Sequence, residues 1–88
     1  MTAQLQPTFR ALADPTRRDI LLMLSSGDMT IGEISGRFTM TRAAVKKHLT
    51  ALEQGGLIQT RTRGRKRLNS LTANGLRPVV DWLGFFDQ

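Results

Sequence analysis

The chain has no cysteine, no tyrosine and a single histidine. Without cysteine there can be no disulfide, no thiolate metal site and no thiol chemistry, and nothing suggests an oxidising compartment. One histidine is too few for a zinc-type centre, which needs several His or Cys donors. No apolar run approaches the roughly 20 residues that span a bilayer, so no membrane association is expected. The N-terminus lacks the charged start and apolar core of a secretory signal, and a cytoplasmic location is expected. Catalytic groupings are missing as well. There are no paired carboxylates at useful spacing, no nucleophile beside a base and no glycine loop that would cradle a phosphate. An enzyme is therefore not expected, and no cofactor is implied. Apart from one tryptophan the aromatics are four phenylalanines. These fall in expected core stripes and offer no stacking platform for single-stranded RNA.

What the chain has is concentrated positive charge. Its 88 residues carry a formal net charge of +6. Arg42, Lys46, Lys47, Arg61, Arg63, Arg65, Lys66 and Arg67 lie in one segment whose only acid is Glu53. The rest of the chain is close to neutral. A surface kept basic only for solubility would intersperse acids, so this local patch points to a polyanion partner. The length fits a single domain over residues 1–88, small enough to be marginal on its own.

The apolar periodicity gives the frame. Leu5, Phe9 and Leu12 recur at helical spacing. Asp14-Pro15 reads as an N-cap followed by proline at the first helical position. A second helix runs from there to about Ser25 on Ile20, Leu21 and Leu24. Thr30 and Glu33 form a capping box, and Ile31, Ile34 and Phe38 give one face of a short third helix. Thr39-Met40 makes the turn. Thr41 caps a fourth helix, 41–54, with Val45, Leu49 and Leu52 as its buried stripe, and Gly55-Gly56 ends it. Residues 58–71 alternate as a hairpin with its turn at Gly64. Asn74 or Thr72 is expected to cap a last helix carrying Leu76, Val79, Val80, Leu83 and Phe86, with Trp82 and Phe85 on a second side. Pro78 must sit in its first turn. The expected fold is mainly α with a small β-hairpin: about five helices and a two-stranded antiparallel wing.

Two helices joined by a tight turn, followed by a basic hairpin, form a winged helix-turn-helix, which places its second helix in the major groove of double-stranded DNA. Thr41, Arg42, Ala43 and Ala44 are the expected base-reading residues. The Arg42 fork matches guanine O6 and N7, and the alanines suit a thymine methyl. Thr41 can serve as cap and contact together. Lys46, Lys47, His48 and Thr50 are expected at the DNA backbone; for His48 a local structural hydrogen bond is an equal alternative. Arg61, Arg63, Arg65, Lys66 and Arg67 are the expected wing contacts, to the backbone or a narrow minor groove. Arginine and lysine can also simply guard a strand edge, but five without an acid exceed that need. Leu5, Phe9, Leu12, Val79, Val80, Leu83 and Phe86 exceed what a small core obviously covers. They either complete the monomer or form the seam of a homodimer. A twofold dimer would set two recognition helices roughly 34 Å apart on a near-palindromic site.

Three segments together resemble the ArsR-type (arsenic-repressor-like) transcription regulators. They are Leu12-Ala13-Asp14-Pro15-Thr16-Arg17-Arg18-Asp19-Ile20-Leu21, the stretch from Val45 to Ile58, and the wing Arg63-Gly64-Arg65-Lys66-Arg67. The likeness covers roughly Phe9 to Phe86. It implies a homodimeric bacterial repressor, often of its own promoter, that dimerises through its first and last helices. Metal-sensing members carry cysteines near the position of Thr30-Ile31-Gly32-Glu33-Ile34, or histidine and acid ligands in the last helix. Here the last helix offers only Asp81 and Asp87, a poor transition-metal site, so the chain resembles the branch without metal ligands. A small-molecule effector is left open, with no polar cluster to nominate one. The competing class is a winged-helix protein-interaction module with only non-specific DNA affinity.

Overall fold

Short-range hydrogen bonds decide where most helices start. In the computed structural model, which describes residues 5–87, the Asp14 carboxylate accepts from Arg17 N at 3.1 Å and Pro15 opens the next helix. Thr30 and Glu33 close a reciprocal capping box, and Thr41 Oγ1 accepts from Ala44 N at 3.1 Å. Each bond satisfies a backbone N–H that has no partner within its helix. The resulting elements are α1 (Leu5–Leu12), α2 (Pro15–Leu24), α3 (Ile31–Ser35), α4 (Arg42–Gln54), β1 (Ile58–Arg63), β2 (Lys66–Leu71) and α5 (Arg77–Leu83), with a 3-10 turn at Gly84–Phe86. The described residues thus contain five α-helices and one two-stranded antiparallel sheet.

The core is built from one face of each helix. Ile20 of α2, Ile34 of α3, Val45 and Leu52 of α4, and Leu57 are the largest fully buried side chains. They come from the apolar stripes that periodicity marks, with Leu24, Leu49 and Ile58 beside them. Arg17 and Arg18 fix the corner between α1 and α2. Arg17 donates to Ala11 O at 2.8 Å and Arg10 O at 2.9 Å, and Arg18 donates to Leu12 O at 2.7 Å. Carbonyls at the end of α1 that lack a helical partner are thereby satisfied by the next helix.

Two element boundaries differ from the sequence expectation. Phe38 is not helical: α3 ends at Ser35, Gly36 caps it, and tight turns bring Arg37 N to Ile34 O at 3.0 Å and Phe38 N to Ser35 O at 3.2 Å. Phe38 still packs, half-buried, against the core. Neither Asn74 nor Thr72 caps the last helix, which starts at Arg77 with no side-chain cap. Thr72 N instead bonds Leu57 O at 3.0 Å, prolonging the strand, and Asn74 takes a left-handed φ of 62°. A Cβ on Gly75 would lie 2.7 Å from Gly56 O and 3.3 Å from Leu57 Cα. Backbone packing on the end of α4 therefore delays the helix. Pro78 lies in the first turn of α5, where proline is tolerated.

Candidate nucleic-acid interface

α4 presents two unlike flanks. Its period turns Val45, Leu49 and Leu52 inward, while Arg42, Ala43, Lys46, Lys47 and Thr50 are exposed. Ala44 and His48 are half-buried. The Thr41 hydroxyl accepts the cap bond and keeps its own O–H free to donate, since a hydroxyl can do both. Thr41, Arg42 and Ala43 therefore form the open N-terminal tip of the helix.

His48 stands apart from the lysines. Its Nδ1 lies 3.4 Å from Arg17 Nη1. A guanidinium only donates, so Nδ1 accepts wherever this pairing is a hydrogen bond. The Asp14 carboxyl lies in the same neighbourhood. Burial pushes it up, but the bond from Arg17 N, the charges of His48 and Arg17 and the bond from Thr16 outweigh this and hold it below the ordinary aspartate value. At α3, the Thr30 backbone and hydroxyl hold the Glu33 carboxyl low; slight burial opposes them, and Lys66 and Arg37 contribute to the lowering.

The wing is a regular ladder whose register pairs Ile58 with Leu71, Thr60 with Asn69 and Arg63 with Lys66. Gly64, at φ +63°, occupies the first of the two turn positions, a conformation that glycine adopts without strain. All residues from Arg61 to Arg67 are exposed. Arg63 opposite Lys66 sets two like charges directly across the strands, which destabilises an isolated hairpin. The only ion pair among the described residues is Arg77–Asp81, on α5. None of the eight cations from Arg42 to Arg67 is paired with a described acid. Lys46 and Glu53 of α4 and Arg67 of β2 border the same cleft of about 70 Å³, so the helix and the wing share one face, basic except at Glu53.

Sequence reasoning missed the anchor of this face. Met29 and Asn69 form an isolated antiparallel bridge, with Asn69 N to Met29 O at 2.8 Å and Met29 N to Asn69 O at 3.1 Å. The buried Asn69 amide adds a bond from Nδ2 to Met29 O at 3.2 Å. Nothing local marks a pair 40 residues apart.

A second, apolar surface lies away from the basic one. Trp82 packs edge-on against Phe9 and Phe86, with centroids at 5.1 and 4.9 Å. α5 buries no residue fully, and Val80, Leu83 and Phe86 are 58, 53 and 70% exposed. Phe9, Leu12 and Val79 are half-buried. Leu5 is 6% exposed, so its apolar surface is already covered within the chain.

Residues 14–60 match the family described as bacterial regulatory protein, arsR family. The chain belongs to the ArsR family. The transcriptional repressor SdpR of Bacillus subtilis is 36% identical over 75 residues, covering 85% of this chain and 83% of that protein. A crystal structure of an ArsR family transcriptional regulator matches with a TM-score of 0.87 and 38% identity, covering 96% of this chain and 92% of the other. The solution structure of a homodimeric winged helix-turn-helix DNA-binding domain from Mycobacterium bovis has a TM-score of 0.77 at 25% identity, covering 96% and 79% of the two chains. The chain is thus a winged helix-turn-helix regulatory protein and not an enzyme. Its described residues bring together no group of three or more His, Asp or Glu side chains that could hold a metal.

Proposed function

We propose that this ArsR-family chain acts as one DNA-binding domain, residues 1–88, in a homodimeric, sequence-specific repressor that reads a near-palindromic operator, including one at its own promoter. The observation that carries the reading is the shared face of α4 and the wing, where none of the eight cations forms an ion pair with a described acid. Thr41, Arg42, Ala43 and Ala44 meet base edges. Lys46, Lys47 and Thr50 meet phosphates, as does His48, whose Nδ1 faces Arg17. Arg61, Arg63, Arg65, Lys66 and Arg67 lay the wing on the flanking backbone. The dimer seam takes the exposed Val80, Leu83 and Phe86 with the edges of Phe9, Leu12 and Val79, and Leu5 supports α1 from inside. The homodimeric Mycobacterium bovis relative supports this pairing, and the SdpR likeness supports repression. Such a protein works in the cytoplasm, at the nucleoid when bound.

The test is a fluorescence-anisotropy titration of the gene's own upstream region against scrambled DNA at several salt concentrations. A preference of about a thousandfold or more is expected. Arg65→Ala should weaken all sequences alike. Each lost phosphate contact flattens the log–log salt slope by about 0.9, so a bound dimer should lose about 1.8. Equal binding to every sequence would refute operator recognition and favour a protein-interaction module instead.

A further inference from the structure

Gly32 lies in the first turn of α3, one residue after Ile31. A Cβ placed there would stand 2.7 Å from Arg42 Nη2, 3.9 Å from Arg42 Cζ and 3.8 Å from Thr30 Oγ1. The guanidinium of Arg42 therefore rests on α3 over a spot that only the missing methyl keeps open. Among the described residues Arg42 makes no hydrogen bond and no ion pair. Glu33, adjacent in sequence, is committed elsewhere: its Oε1 accepts from Thr30 N at 2.9 Å and closes the capping box. The guanidinium lies against α3 while its donors remain unused. A long side chain that must be immobilised on binding loses rotamer freedom, and one already seated loses less.

We infer that Gly32 is a positioning residue for Arg42, and that the floor it leaves on α3 sets the base preference of this regulator. The inference rests on Arg42 being a base-reading residue. Gly32 touches no DNA itself. It acts by letting the guanidinium lie at the edge of the recognition helix with its donors turned to the partner.

Gly32→Ala separates this from a structural role. Alanine is the better helix former, and the atom it would displace is the free end of a flexible side chain. The variant should melt at the wild-type temperature or above. A duplex selected from a randomised pool by the wild-type protein, together with its single-base-pair variants, is titrated with wild type, Gly32→Ala, Arg42→Ala and the double variant. Arg42→Ala should lose about tenfold discrimination at one base pair. Gly32→Ala should lose roughly three- to tenfold at that same base pair, and the double variant should be no worse than Arg42→Ala alone. The inference is overturned if Gly32→Ala keeps full discrimination where Arg42→Ala has lost it. It is equally overturned if the Gly32→Ala loss persists in full without Arg42. If Arg42→Ala itself discriminates like wild type at every base pair, the base-reading role fails and the inference falls with it, a pattern distinct from the other two.

Discussion

Gly55→Ala tests how closely the first helix is docked on the recognition helix. Gly55 caps α4 at φ −78°, ψ 0°, a conformation that alanine adopts freely. The new Cβ would meet Ala11 Cβ and Pro7 O at 3.0 Å and Thr8 Cα at 3.3 Å, all on α1. Two of these are backbone atoms, so α1 as a whole must move by a few tenths of an ångström. Such overpacking costs about 1–3 kcal/mol. The shift also strains the buried bond from Thr8 Oγ1 to Gly55 O, 2.8 Å long, a bond of a kind that contributes about 0.5–1.5 kcal/mol. Against this, a chain with one glycine fewer loses less entropy on folding, a gain of about 0.4–1 kcal/mol. The net expectation is a loss of about 1–2 kcal/mol, or a fall in Tm of roughly 5–15 °C for a domain of this size. Gly36→Ala is the control. It sits at φ −65°, ψ −15°, and its nearest neighbours, Gly32 O and Glu33 O, lie at 3.5 and 3.6 Å. Only the entropic gain applies, so its Tm should rise by a few degrees. Both are measured by thermal denaturation at one fixed protein concentration, because dimerisation couples to Tm. If Gly55→Ala melts at or above wild type, close docking of α1 on α4 is not what this glycine provides.

Two further expectations concern the acid limit and the apolar seam. The Asp14 carboxyl titrates below the ordinary 3.8 of an aspartate; its folded pKa is depressed, so its stabilisation is present above 3.8 and is lost as pH falls through the folded value. Asp14→Asn keeps a capping oxygen but loses the charge. Its urea midpoint should lie below wild type near neutrality and fall less steeply in acid, so that the two proteins converge there, where Glu33, depressed in the same direction, still contributes a slope; parallel acid profiles for the two proteins would show that this cap carries no linkage. Leu83→Glu places a charge on a residue 53% exposed in the single chain. It should leave the circular dichroism unchanged while sedimentation shifts from dimer to monomer, and a variant that sediments as a dimer would remove α5 from the seam.

Much of the fold was readable because its determinants are local. Asp14-Pro15, the Thr30–Glu33 box and Thr41 each act within three residues, and each starts a helix where composition says it should. The wing was equally legible, since alternation and one glycine fix its ladder. What escaped is set by contacts distant in sequence. The late start of α5 follows from Gly75 meeting Gly56 and Leu57; the end of α3 at Gly36, which takes Phe38 out of the helical period, is a local exception. Within the DNA-facing surface, the residue types and their spacing announced the cations. The roles of Gly32 beneath Arg42, of Arg17 beside His48 and of Asn69 on Met29 depend on tertiary packing. A glycine read from sequence suggests a turn; only packing reveals a surface kept bare for another side chain.

The clamp between Met29 and Asn69 has a mechanical consequence. It ties the root of the hairpin to the loop before α3 by two backbone bonds and one side-chain bond, while the tip from Arg61 to Arg67 projects freely. On the proposed DNA-binding reading this resembles a caliper with a pinned joint, the span from recognition helix to wing root being set by these three bonds. A duplex that does not match that span must itself widen, narrow or bend. That cost depends on the stiffness of the base steps, so on the proposed reading the joint would make DNA mechanics a second criterion of site choice.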